Sequence, residues 1–145
     1  MIEGASDGVG VTVFGDERAH LEEVGAAIVN EALEIHRELG VGLLESVYET
    51  VLCRALEQKG FRVDRQRKVP LVYRDLEFDE AFRADLVVED SIIVEIKSVE
   101  ALTHAHRKQL LTYLKLADMR LGFLLNFGAA LMKNGIVRTV NALPE

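Results

Sequence analysis

The stretch Ser91-Ile92-Ile93-Val94-Glu95-Ile96-Lys97 is an apolar run that closes on an acid and a base two positions apart. Its β-branched content predicts a strand, and side chains two apart on a strand share a face. Glu95 and Lys97 are therefore expected to emerge together, about 6–7 Å apart. Asp85, on what reads as the neighbouring strand, adds a second carboxylate. Two carboxylates and an amine at the mouth of a buried strand could hold a divalent cation and position a water. Metal-dependent phosphodiester hydrolysis is the chemistry that such a set suggests.

Other residues belong beside these. Glu45 falls on a predicted helix, and Gln109 and Tyr113, four apart on a later one, share a face, with His106 one turn earlier. Each fragment also has a plainer reading. Glu95 and Lys97 could form a surface ion pair, Asp85 could pair with Arg83 or Arg67, and Gln109 could sit on a helix surface with Tyr113 half-buried. Glu49, one turn after Glu45, reads as a spare acid or a solvent-facing one. Tyr48 reads as packing against the sheet. His104 and His106, at a helix start, read first as polar surface or capping groups. The alternating Arg62, Arg65, Arg67 and Lys68 could meet a nucleic-acid backbone or neutralise acidic helices.

The elements that must position these residues follow from periodicity. Residues 1–17, rich in glycine and acids, show little pattern and are expected to form a mobile tail or an added edge segment ahead of one domain, 18–145. From His20, Leu21, Val24, Ile28, Ala32, Ile35 and Leu39 recur at helical spacing. Gly40-Val41-Gly42 interrupts them, and a second run through Leu44, Val47, Val51, Leu52, Ala55 and Leu56 ends at Gly60. One kinked helix and two packed ones fit equally. Strand patterns follow at 61–73, where Pro70 suggests an edge or a bulge. The polar residues Arg74–Glu80 are expected to turn the chain. Residues 81–88 and 91–96 predict a hairpin about Glu89-Asp90. Thr103–Ala117 is helical, and Leu121–Asn126 and Ile136–Val140 are two closing strands. The expected class is α/β, in the order α-α-β-β-β-α-β-β, with a helix crossing over between strands.

Composition sets the bounds. The chain has 145 residues, 49% hydrophobic and 28% charged, as in an ordinary globular domain. Its longest apolar run, around Leu121–Phe127, is far short of the ~20 residues of a membrane span, so no membrane partner is expected. No basic region followed by an apolar core opens the chain, and no secretory signal is expected. The one cysteine, Cys53, excludes an intramolecular disulfide and a four-cysteine cluster, and a reducing, cytoplasmic setting follows. A net charge of −7 argues against tight non-specific nucleic-acid binding. Residues 1–60 carry that charge, at −8, whereas residues 61–145 total +1.

The combined blocks are more specific than any one of them. Gly42-Leu43-Leu44-Glu45-Ser46-Val47-Tyr48 resembles the bacterial and archaeal GxxExxY proteins. The likeness continues through Arg83-Ala84-Asp85-Leu86, Ile93–Lys97, His106–Leu114, Leu121–Gly128 and Gly135–Arg138, and so covers roughly 20–141. The resemblance implies the PD-(D/E)XK nuclease superfamily and a restriction-endonuclease-like core, a mixed β-sheet flanked by helices. By that resemblance Asp85 and Glu95 are metal ligands, with Glu45 the helix-borne acid and Lys97 the catalytic lysine. Gln109 and Tyr113 correspond to the QxxxY element of RecB-like exonucleases. Ala84 stands where proline often precedes the aspartate.

The expected centre therefore has Asp85, Glu95, the Ile96 backbone carbonyl and Glu45, directly or through water, around Mg²⁺ or Mn²⁺, with no iron–sulfur cluster. Lys97, Glu45, Gln109 and Tyr113 serve catalysis, and His106, Arg107 and Lys108 are candidates for substrate contact. The expected activity is Mg²⁺-dependent cleavage of DNA, or secondarily RNA. A non-catalytic module that keeps the fold, or a small-phosphoester hydrolase, are the alternatives. A homodimer or protein partner could help so small a domain to grip its substrate.

Overall fold

A computed structural model describes the backbone of residues 2–142 and the side chains of residues 15–142. Helix α1 covers Ile2–Leu39 and α2 Glu45–Gln58. Strands β1 (Val63–Tyr73), β2 (Leu76–Val88) and β3 (Ile92–Lys97) follow, then α3 (His104–Ala117). Strands β4 (Leu121–Asn126) and β5 (Ile136–Val140) flank a short 3-10 turn at Met132–Asn134. The helical run at the start is two helices. Gly40 and Gly42 take φ of +73° and +101°, in the left-handed region that side chains avoid, and the Gly40 N–H donates to the His36 carbonyl to close α1. The bounds of α1 take in residues 2–17 of the segment expected as a tail; residue 1 and the side chains of 2–14 lie outside the described residues.

The sheet has the order β1-β2-β3-β4-β5. β3 and β4 are parallel and every other neighbouring pair is antiparallel. A parallel pair needs a crossover, and α3 supplies it. The two central strands are covered on both faces, so their side chains are nearly all buried. One face of the sheet packs Leu86, Val88, Ile92, Val94, Ile96, Phe123 and Leu125 against the apolar stripes of α1 and α2. The other packs Phe82, Ala84, Val87, Ile93 and Leu124 against Leu110 and Leu114 of α3. Gly122 lets α3 lie close, since a Cβ there would meet Leu110 Cδ1 at 3.0 Å and Leu114 Cδ2 at 3.2 Å.

One expected turn is mostly strand. The chain reverses at Arg74-Asp75 alone, Tyr73 pairing with Leu76, and residues 76–80 belong to β2. Their polarity reflects solvent on a ribbon that outruns its neighbour, because β2 pairs with β3 only from Leu86 to Val88. Val72, Tyr73, Leu76 and Phe78 on this ribbon are exposed. Among the described residues no helix is long and apolar enough to cross a membrane.

Candidate active site

A regular strand sends alternate side chains to one face. In β2, however, Phe82 and Ala84 pack on the α3 side, whereas Leu86 and Val88 pack on the α1–α2 side. All four are even-numbered, so the pleat reverses at Asp85. β1 reverses on the same rung. Val63 packs on the α1–α2 side and Val69 on the α3 side, and between them Gln66 takes φ +52°. Gln66 stands opposite Asp85, between the pairs Arg65↔Leu86 and Arg67↔Ala84.

The β2–β3 ladder stops at Leu86↔Val94, and two carboxylates take over its next rung. The Asp85 N–H donates to Glu95 Oε2 at 2.8 Å, and the Ile96 N–H donates to Asp85 Oδ2 at 2.8 Å. Each acid is thus held by the other's strand. Glu95 is only 6% exposed, and burial, then the Asp85 charge, push its carboxyl up to about 8. Burial also raises Asp85; the Ile96 N–H opposes that shift and Glu49 adds to it. Lys97 pulls both carboxyls down through space but forms no ion pair among the described residues.

Tyr113 belongs to the same environment. Burial first, then the charges of Glu95 and Asp85, raise its hydroxyl, and its ring stacks on Phe82 with centroids 3.8 Å apart. Gln109, one turn earlier, is exposed and has no hydrogen bond among the described residues. Arg107 and Lys108 are likewise exposed and without an ion pair there. His106 caps α3 reciprocally: its N–H donates to Thr103 Oγ1 at 3.2 Å and its Nδ1 accepts the Thr103 N–H at 3.1 Å.

The helix-borne acid reaches the end of β3. Glu45 Oε2 accepts the Ser98 N–H at 3.1 Å, one residue past Lys97, and Ser98 Oγ donates to the Leu43 carbonyl. Among the described residues no three His, Cys, Asp or Glu side chains converge as a metal cluster. Glu49, weighed as spare or solvent-facing, is instead 7% exposed. Arg65 grips its Oε2 through Nε at 3.2 Å and Nη2 at 3.0 Å. Gln66 Nε2 donates to Glu49 Oε1 at 2.7 Å and to Asp85 Oδ1 at 3.3 Å. The helical spacing of Glu45 and Glu49 was a signal for Glu49; nothing local marked Gln66.

The remaining alternatives resolve by pairing. Arg83 joins Glu80 at 2.8 Å, and Arg67 joins Asp90 at 2.6 Å, so neither takes Asp85. Arg62, Arg65 and Arg67 all neutralise acids. Cys53 is buried, and burial raises its thiol, which suits packing rather than nucleophilic attack. A groove of about 650 Å³ between α2 and β1 is lined by Thr50, Cys53, Arg54, Glu57, Val63, Asp64, Arg65 and Arg67 and includes neither Asp85 nor Glu95.

Buried Glu95 and half-buried Asp85, both with raised proton affinity and no cation in contact among the described residues, are costly as anions. Their all-oxygen donors fit a hard divalent cation that brings its own waters. No curated protein and no solved structure matches the chain. A family model does, over residues 22–139, which take in β1 to β4, β5 up to its last residue, and the paired acids. With the mixed sheet, the crossover helix and the Asp85, Glu95, Lys97 series now in view, the chain belongs to the PD-(D/E)XK nuclease superfamily.

Proposed function

We propose that this protein is a Mg²⁺- or Mn²⁺-dependent phosphodiesterase that cleaves DNA, a reading that its nuclease superfamily supports. The observation that carries the reading is the Asp85–Glu95 pair, half-buried and buried, cross-braced by backbone N–H groups, with Lys97 on the same face of β3 as Glu95. Asp85, Glu95 and the Ile96 carbonyl would hold the ion. When bound, it supplies a water of lowered pKa and offsets charge on the phosphodiester. Lys97 carries a positive charge to the same place, where it stabilises the developing oxyanion. Tyr113, which feels the charge of both acids, and Gln109, one turn earlier on α3, orient the scissile phosphate. Glu45 holds the chain just after Lys97 and so fixes where the amine projects.

Calorimetric titration of Mg²⁺ and Mn²⁺, followed by assays on labelled single- and double-stranded DNA and on RNA, tests the reading. Wild type should cleave DNA only with metal, and Asp85→Ala and Lys97→Ala should each lose activity. Cleavage that survives in both variants would remove the assignment. Metal binding with no nucleic-acid cleavage would favour a small-phosphoester substrate. Absence of both would favour a non-catalytic module.

A further inference from the structure

Asp85 is a poor residue to leave to chance. It sits where two strands reverse their pleat together, and the regular ladder that would otherwise fix its backbone has ended. Its Oδ2 is fixed by the Ile96 N–H. Its Oδ1 is reached by the Gln66 amide, and that amide is itself fixed by Glu49, which Arg65 holds with two contacts. Arg65 Nη2 also donates to Thr50 Oγ1 at 2.9 Å, so the chain of contacts is anchored on α2. Gln66 keeps a backbone conformation unfavourable for a side chain in order to stand there.

We propose that Gln66 and Glu49 are positioning residues of the carboxylate centre, with Arg65–Glu49–Gln66 setting the orientation of Asp85. The proposal rests on the reading of Asp85 and Glu95 as the metal-holding pair. Glu49 and Asp85 are both acids on different elements, and a neutral amide between them joins them without adding charge. Its Nε2 offers two hydrogens, one for each carboxylate. A lysine there would compete with the cation for Asp85, and an acid would repel both neighbours. The Asp85 oxygens are thereby oriented before a metal arrives, as partners of ligating groups generally do.

Mn²⁺ binding to the metal-free full chain, read by calorimetry and by loss of the free-ion paramagnetic signal, requires no turnover. Gln66→Met keeps the length of an unbranched side chain and removes both donor contacts. It should weaken Mn²⁺ binding roughly 10–100-fold, while the metal-free protein stays folded with its melting temperature lowered only by the lost Glu49 contact. Saturating Mn²⁺ should then restore most of kcat in that variant, because the ligands themselves are intact. Arg65→Met should weaken binding in the same direction, and the double variant should lose little more than Gln66→Met alone. Mn²⁺ affinity within twofold of wild type in Gln66→Met, or losses that multiply in the double variant, would overturn the relay. If Gln66→Met fails to fold, Arg65→Met decides by the same affinity criterion. Asp85→Ala binding Mn²⁺ as tightly as wild type would instead overturn the metal-holding pair, and the relay with it.

Discussion

Glu95 takes the backbone N–H of Asp85 and lies within reach of that residue's charge, away from solvent. Its carboxyl is pushed from an ordinary 4.5 up to about 8. The folded, metal-free protein therefore holds a proton that the unfolded chain releases. That contribution to stability is full below about pH 4.5, declines as pH rises through the interval, and is gone above about pH 8. Glu95→Gln keeps an oxygen to accept the Asp85 N–H and cannot ionise. Metal-free Glu95→Gln should thus lose most of the decline in melting temperature over that interval and melt above wild type at its alkaline end. Thermal scans across pH, with and without Mg²⁺, check this, and Mg²⁺ should stabilise wild type most where the pair is ionised. An unchanged pH profile in the variant would assign the proton elsewhere.

Helices and strands deliver these side chains through a few close contacts. Tyr48, fully buried, stacks on Phe127 with centroids 4.4 Å apart and donates its hydroxyl hydrogen to the Gly40 carbonyl at 2.6 Å. The same oxygen accepts the Leu43 N–H at 3.3 Å, which fixes the loop that carries Glu45 to Ser98. Tyr48→Phe should keep the stack and cost about 1–3 kcal/mol in denaturant unfolding, because the loop's polar groups lose their partner. Gly122→Val tests the α3 seat. Its added carbons would press on Leu110 and Leu114, costing about 1–3 kcal/mol. Since α3 carries Gln109 and Tyr113, cleavage should fall by more than the loss of folded protein accounts for.

At the scale of the whole molecule, charge limits how the protein grips a polyanion. The net charge is −7, and Arg62, Arg65 and Arg67 are spent on acids of the chain itself. Lys97, Arg107 and Lys108 have no ion pair among the described residues. If these three meet phosphates, the slope of log K against log salt on duplex DNA should be shallow, about −3. Arg107→Ala and Lys108→Ala should each reduce it by about one. A slope near −6 or steeper would require a basic surface other than this one.

Spacing along the chain specifies the elements and the chemistry on offer. The apolar run into Glu95 and Lys97, the helical stripes of α1 to α3 and the glycine break at 40–42 are local signals, written in spacing that burial imposes. The ordered blocks from Glu45 to Tyr113 were legible for the same reason. Tertiary structure alone decided which acids meet. Glu45 turns to Ser98, Glu49 comes in on Arg65 and Gln66, and Asp85 and Glu95 exchange backbone partners. The last two depend on a pleat reversal shared by two strands at Gln66 and Asp85. Such a reversal depends on cross-strand register and on which helix covers which face, neither of which is a property of neighbouring residues.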